Sequence, residues 1–268
     1  MDEPTSLLIT AVTTGEVAVV RDLIARGANV NYHEPRSQLS PLAIAVINDH
    51  SVVVDILAKH GARVNHCKDS ALVETPLHFA CREGYNETVR VLIDHKADVN
   101  AHVPGVKSPL GVAVSRRNDS LAKMLLDNQA DPNYVDKTNN TPLMHAYHAS
   151  DQMFRMLLEH GADPGAMEPS GQKCLNSFIW CSQFNKIELA LKHRADPNAN
   201  PFSQRDKTYL AMALRFGHLD IARLLVKYGA ATGPGAREHV LPALRGQFDS
   251  LSTLPIPCVC KHTSNAAV

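Results

Sequence analysis

The stretch that decides the fold is residues 75–100, TPLHFACREGYNETVRVLIDHKADVN. Thr75 and Pro76 predict a helix start, because a threonine hydroxyl can accept hydrogen bonds from free backbone N–H groups and proline suits the first helical position. Apolar residues then recur three and four positions apart, and Gly84 predicts the helix end, where the chain often needs a positive φ. A second helix is predicted to about His95, followed by an extended turn. Two such helices need neighbours to bury their apolar faces.

The neighbours are further copies of the same unit. The Pro-Leu pair recurs at intervals of 33 to 35 residues, at positions 41, 76, 109 and 142. The turn recurs as GANVN (27–31), GARVN (61–65), KADVN (96–100), QADPN (129–133), GADPG (161–165), RADPN (194–198) and GAATG (229–233). With the intact T-P-L-H-x-A motif at residues 75–80, this period resembles the ankyrin-repeat family from about residue 6 to 232. The resemblance implies an all-α repeat solenoid, each repeat being a helix–turn–helix plus a β-turn or hairpin loop.

About seven repeats are predicted within a domain spanning residues 1–232. Their bounds are 6–39, 40–74, 75–107, 108–140, 141–172, 173–206 and 207–232. Residues 233–268 are predicted to form a short irregular C-terminal tail, either a segment capping the seventh repeat or a SOCS-box-like remnant. LPIP at residues 254–257 resembles the LPxP element of that box, whereas residues 241–245 lack the cysteine expected four positions after the leucine.

Several helix ends carry another residue where the repeat normally has glycine. These residues are Asp49, Arg117, Gln129, Ser150, Ser182 and Arg194. If each is held in the left-handed conformation, the strain is on the order of 1 kcal/mol per site. Asp tolerates this conformation better than most residues, so the cost at Asp49 is expected to be smaller.

The amino-acid composition indicates which class of partner the protein binds and in which compartment it lies. The 27 Lys and Arg balance 27 Asp and Glu, which argues against nucleic acid or a membrane surface as the main partner. No apolar run approaches the roughly 18 residues of a membrane span, and the first residues lack the basic start of a secretory signal. The six scattered cysteines favour a reducing compartment. A monomer in the cytoplasm is predicted, with the nucleus as a second compartment.

No motif assembles an active site. The chain lacks the phosphate-loop, zinc-protease and serine-hydrolase patterns, so it is predicted to be no enzyme and to need no cofactor or metal. Cys258, Cys260 and His262 form only half of a zinc site. In the family, the histidine at the position of His78 is structural. Four further histidines fall at the ends of second helices, where a cation is favourable: His60, His95, His160 and His193.

The resemblance implies that partners bind a concave face formed by the first helices and the turn tips. Aromatic residues and arginine dominate interface energetics, which directs attention to such residues near the ends of first helices. The predicted partner-binding residues are Arg82, Glu83, Arg116, His148, Trp180, Arg215 and Phe216, with Tyr134 and Phe202 at turn tips. For Trp180 an equal alternative is that it fills a gap in the sixth repeat.

Two functions compete. The first is a non-enzymatic scaffold or adaptor that binds a partner protein on the concave face. The second is a substrate-recognition subunit of a cullin–elongin ubiquitin ligase, since a SOCS box recruits elongin B/C and a cullin in the family. Asn100 also resembles the family's asparagine hydroxylation pattern, with Leu92 eight residues earlier and Asp98-Val99 before it. The alternative for Asn100 is that it only stabilises the turn.

Overall fold

The computed structural model describes residues 3–34, 38–66, 74–138, 140–165, 174–199 and 208–232. They belong to two compact units, Met1–Ala162 and Asp163–Val268. Within these residues all regular secondary structure is helical, and the helices come in antiparallel pairs. The predicted all-helical repeat fold is confirmed. The exact repeat boundaries stay a prediction.

The first unit contains five helical hairpins in its described residues. Its helices are α1 (Glu3–Thr14), α2 (Val17–Ala25), α3 (Pro41–Ile47), α4 (Ser51–Lys59), α5 (Pro76–Glu83), α6 (Asn86–Asp94), α7 (Pro109–Ser115), α8 (Asp119–Asp127), α9 (Pro142–His145) and α10 (Asp151–Glu159). A 3₁₀ turn, Ala146–His148, follows α9. Each first helix packs on the first helix of the next hairpin, and each second helix on the next second helix.

The second unit contains two hairpins in its described residues. Its helices are α11 (Cys174–Trp180), α12 (Phe184–Lys192), α13 (Tyr209–Arg215) and α14 (Leu219–Lys227). Helix α11 packs on α13, and α12 packs on α14. Leu175 and Leu210, which occupy the motif leucine position in the two hairpins, are both buried.

The motif leucine of each repeat forms the core of the first unit. Leu8, Leu42, Leu77, Leu110 and Leu143 follow one another along the stacked first helices, and all are at most 1% exposed. Burying one leucine side chain contributes roughly 1.5–3 kcal/mol relative to leaving it in water. Because the first helices that carry these leucines pack on the first helices of neighbouring hairpins, a hairpin gains this energy only within the stack.

His78 has the structural role that the motif predicts. Its ring is fully buried, and Nδ1 lies 2.8 Å from the hydroxyl of Thr75, which caps α5. Burial lowers the pKa of His78 to about 4, although the backbone of Lys107 acts in the opposite direction. The ring is therefore neutral at physiological pH, and its contact with Thr75 lies at the start of α5.

Five of the six predicted left-handed residues are confirmed. Asp49, Arg117, Gln129, Ser182 and Arg194 have φ between 54° and 69°. The prediction for Ser150 is wrong. Its φ is −63°, and its hydroxyl caps α10, because the chain leaves the preceding 3₁₀ turn through an extended Ala149. Lys96 adopts φ 65° without having been predicted to do so.

Asparagine side chains join neighbouring turns. In each bridge, Nδ2 donates to a backbone carbonyl of the next turn and Oδ1 accepts from the backbone N–H two residues later, at 2.7–3.3 Å. The complete bridges run from Asn31 to Gly61 and Arg63, from Asn65 to Lys96 and Asp98, from Asn100 to Gln129 and Asp131, and from Asn198 to Gly229 and Ala231. Each hydrogen bond contributes roughly 0.5–1.5 kcal/mol net.

One turn of the second unit carries glycine at the bridging position. The N–H of Gly165 donates to Asp163 Oδ1 at 2.7 Å, as the N–H of Asn100 donates to Asp98 Oδ1 at 2.9 Å. The local turn is therefore the one that carries asparagine elsewhere, and only the side-chain amide is missing. By analogy with the other bridges, an asparagine at position 165 would reach the backbone groups of Arg194 and Asp196.

The substitution Gly165→Asn is therefore expected to stabilise the second unit. Two new hydrogen bonds at an exposed site should raise the free energy of unfolding by about 1 kcal/mol. Urea denaturation measures the change. Gly165→Ala is the control, because it also removes a glycine but supplies no amide. Equal stability of the two variants would contradict the bridging role.

Candidate functional site

Two aromatic rings meet at the surface of the second unit. Trp180 is the last residue of α11, and Phe216 directly follows α13. Their ring centroids are 4.7 Å apart with an interplanar angle of 71°, an edge-to-face arrangement that aromatic pairs favour. Trp180 is 67% exposed and Phe216 is 37% exposed. Trp180 therefore does not fill a gap in the sixth repeat, and that alternative is wrong. We call these two residues the aromatic pair.

The helices that carry the aromatic pair do not need it for their own packing. In α11 the side chains of Leu175, Phe178 and Ile179 are buried and form the apolar face. In α13 the same role falls to buried Leu210 and Leu214. The aromatic pair lies outside both apolar faces, and adjoining exposed apolar side chains can mark an interaction site.

Arg215 brings a positive charge beside the aromatic pair. It is exposed at the end of α13, next to Phe216 in sequence. Within the described residues its guanidinium makes no ion pair. The ring of His218 also lies near that of Phe216, with ring centroids 6.1 Å apart. Three predicted site residues, Trp180, Arg215 and Phe216, thus lie together.

Arg82 and Glu83 also lie together, but they bind each other. Arg82 Nε donates to Glu83 at 2.9 Å, and the same guanidinium forms an ion pair with Glu74. The guanidinium also lies over the ring of Phe79, 4.8 Å from its centroid. Burial raises the pKa of Glu74, which Arg82 opposes. The charge of Arg82 is therefore balanced by Glu74 and Glu83.

The remaining predicted residues are dispersed. Arg116 is exposed at the end of α7, and His148 is exposed with its ring against that of Tyr147, at a centroid distance of 4.5 Å. The hydroxyl of Tyr134, half-buried at its turn, lies 2.7 Å from His102 Nδ1. Phe202 lies outside the described residues. The contribution of these residues to binding stays a prediction.

A chain of polar contacts between the fourth and fifth repeats was missed by sequence reasoning. Lys107 Nζ lies 2.8 Å from Ser115 Oγ and 3.5 Å from His145 Nδ1, and His145 Nε2 lies 2.8 Å from Asp136 Oδ2. Lys107 and Asp136 precede their helices, so helical periodicity could not reveal the chain. A signal was available in this copy of the T-P-L-H motif, where Gly111 stands in place of the histidine.

Burial and hydrogen bonding set the charges in this chain of contacts. Burial would raise the pKa of Asp136, but hydrogen bonds from Thr138, Asn140 and His145 lower it below its usual value. Burial lowers the pKa of His145, which outweighs the opposing effect of Asp136. Asp136 is therefore a carboxylate and His145 a neutral imidazole at physiological pH.

Asn100 is exposed, but its side chain is occupied by the bridge to the fourth repeat. This contact supports the structural role of Asn100, and its hydroxylation stays a prediction. The described residues contain no cluster of three or more side chains suited to a metal ion. Cys258, Cys260 and His262 lie outside the described residues. Among the described helices, none is long and apolar enough to cross a bilayer.

Similar proteins share both the fold and the repeat pattern. Among solved structures, the ankyrin repeat domain of human ASB11 superposes with a TM-score of 0.61 at 25% identity, covering 84% of this chain and 98% of that domain. The ankyrin repeat domain of Bcl-3 superposes with a TM-score of 0.67 at 28% identity, covering 79% and 94%.

Relatives in sequence include human "Ankyrin repeat and SOCS box protein 6", which is 28% identical over 216 residues. This match covers 78% of the chain and 47% of the relative, so the chain spans about half of that protein's length. Rat cyclin-dependent kinase 4 inhibitor B is 32% identical over 120 residues, covering 44% of the chain and 88% of the inhibitor. The family model "Ankyrin repeats (3 copies)" matches residues 8–103 and 104–168. The chain therefore belongs to the ankyrin-repeat family.

Proposed function

We propose that this protein is a non-enzymatic interaction scaffold that binds a partner protein through a surface centred on the aromatic pair. Ankyrin-repeat proteins are generally binding scaffolds without catalytic activity. The observation that carries the proposal is the exposed contact between Trp180 and Phe216 on neighbouring repeats. We place the protein in the cytoplasm, with the nucleus as a second compartment, as a monomer when unbound.

The aromatic pair has the physical properties of an interface centre. Tryptophan and arginine are enriched among the residues that dominate binding energy. The contact with Phe216 restricts the Trp180 side chain before binding, which reduces the entropy lost when a partner orders it. Arg215 supplies a planar set of donors for a carboxylate of the partner. Wider contributions from Arg82, Glu83, Arg116, His148, Tyr134 and Phe202 are part of the proposal.

Replacing Trp180 should abolish most of the binding. Truncation of an interface centre costs about 2 kcal/mol or more, so Trp180→Ala is expected to reduce partner capture more than about tenfold. Affinity capture of the full chain, quantified by mass spectrometry, first identifies the partners retained by the wild type. The retained amounts are then compared with those on Trp180→Ala and Phe216→Ala.

The matched control is Val52→Ala on α4, which also truncates an exposed apolar side chain, here 54% exposed. Helix α4 is a second helix of the first unit, whereas the aromatic pair belongs to the second unit. Circular dichroism checks that every variant is folded. If Trp180→Ala captured the same partners in the same amounts as Val52→Ala, the interface would lie elsewhere.

A second candidate is a substrate-recognition subunit of a cullin–elongin ubiquitin ligase. Its support is the similarity to two proteins whose names carry the SOCS box or its abbreviation, one over 78% and the other over 84% of this chain. The LPIP sequence at residues 254–257 adds to it, although it lies outside the described residues. This function is compatible with the first, since the repeats would then hold the substrate.

Purified elongin B/C tests the second candidate directly. If the candidate is correct, the immobilised full chain retains elongin B/C, and Leu254→Ala reduces the retained amount. Trp180→Ala is the control, because elongin B/C would bind the tail and not the aromatic pair. Failure of the wild-type chain to retain elongin B/C would leave the scaffold function without a ligase role.

A further inference from the structure

The ammonium group of Lys107, directly before the cap of α7, is held in place by contacts that do not neutralise its charge. Lys107 Nζ donates to Ser115 Oγ at 2.8 Å and lies 3.5 Å from His145 Nδ1. Both partners are uncharged. Among the described residues no carboxylate oxygen lies within 4.0 Å of this ammonium. The charge is therefore positioned by the fold and left available.

The equivalent contact at α5 is neutralised. Glu74 and Arg82 are eight residues apart, as are Lys107 and Ser115, and in both pairs the first residue directly precedes the helix cap and the second lies near the helix end. At α5 a carboxylate faces a guanidinium, so the charges cancel. At α7 the cation faces a hydroxyl. The same scaffold geometry thus leaves one unit of positive charge uncompensated.

The buried carboxylate of Asp136 binds other groups. The Asp136 side chain is 3% exposed and accepts hydrogen bonds from Thr138, Asn140 and His145. The His145 ring stands between Asp136 and Lys107. Because its Nε2 donates to Asp136, its Nδ1 is left to accept from Lys107, which is the arrangement of a neutral ring. The ring positions the lysine and adds no charge.

Gly111 lies beside this arrangement. A Cβ at this position would lie 3.3 Å from Ser108 Oγ and in ordinary contact with Lys107 Cβ at 3.4 Å and His145 Cδ2 at 4.0 Å, so a side chain as large as histidine would extend toward Lys107 and His145. The third repeat has the bulky His78 at the same motif position.

We propose that Lys107, Ser115 and Arg116 form a binding site for a carboxylate side chain in an acidic peptide segment of a partner. Lys107 supplies a charge-assisted hydrogen bond from a side chain whose position is already fixed, which lowers the entropic cost of binding. Arg116 follows Ser115 and is exposed, without an ion pair in the described residues. The site rests on the proposed scaffold function but lies in the first unit, apart from the aromatic pair in sequence.

Fluorescence anisotropy with fluorescein-labelled hexaglutamate tests the site on the full chain at low ionic strength. The wild type is expected to bind this probe at least about tenfold more tightly than labelled hexalysine, because the lysine and arginine attract only the anion. Lys107→Gln should weaken hexaglutamate binding about tenfold, the size of one charge-assisted hydrogen bond. Lys107→Arg should retain most of it.

Two further variants make the test specific. Arg155→Gln makes the same charge change at an exposed site on the second helix α10, and should leave the affinity within about twofold of wild type. Ser115→Glu should lower it as Lys107→Gln does, by supplying the internal carboxylate that the third repeat has. Because Ser115→Glu adds an ion pair to the fold, it still tests the site if Lys107→Gln unfolds.

Equal weakening by Lys107→Gln and Arg155→Gln would overturn the site, as would equal affinity of the wild type for the two probes. Trp180→Ala should leave hexaglutamate affinity unchanged. The two proposals can fail separately, because the loss of partner capture by Trp180→Ala reports on the aromatic pair, whereas the difference between Lys107→Gln and Arg155→Gln in hexaglutamate affinity reports on Lys107.

Discussion

The structure depends on side-chain amides that bridge one turn to the next. A single hairpin cannot bury its apolar face, and the leucine stack alone would tolerate small shifts between repeats. The asparagine bridges restrict such shifts, because both hydrogen bonds of Asn31, Asn65, Asn100 or Asn198 form only at one offset. Because the offset between neighbouring repeats is fixed, residues far apart in sequence, such as Lys107 and His145, can meet.

The same bridges account for two of the left-handed residues that stand where glycine is absent. Lys96 and Gln129 have φ of 65° and 66°, and each presents its backbone carbonyl to the asparagine of the preceding repeat. The strain of a left-handed side-chain-bearing residue, on the order of 1 kcal/mol, is offset by a hydrogen bond of similar size. These positions therefore follow from the stacking of repeats rather than from local preference.

The fold was largely predictable from the sequence, because the repeat period, the helix starts and most of the left-handed turns carry local signals. The prediction of a left-handed Ser150 was wrong, because the glycine pattern does not reveal the 3₁₀ turn that precedes this residue. The candidate site was predictable only in part. Trp180 ends a seven-residue helix, where periodicity does not separate core from surface. Lys107 was missed because its contacts cross between repeats and come from the loop before α7.

Amide hydrogen exchange followed by NMR tests the bridges most directly. The backbone amides of Arg63, Asp98, Asp131 and Ala231 donate to asparagine side chains and should be protected, although they lie in turns. The amide of Asp196 is the internal reference, because residue 165, where its asparagine would be, is glycine. Protection of the four amides well above that of Asp196 is the expected result. Exchange of all five at similar rates would contradict the bridging role.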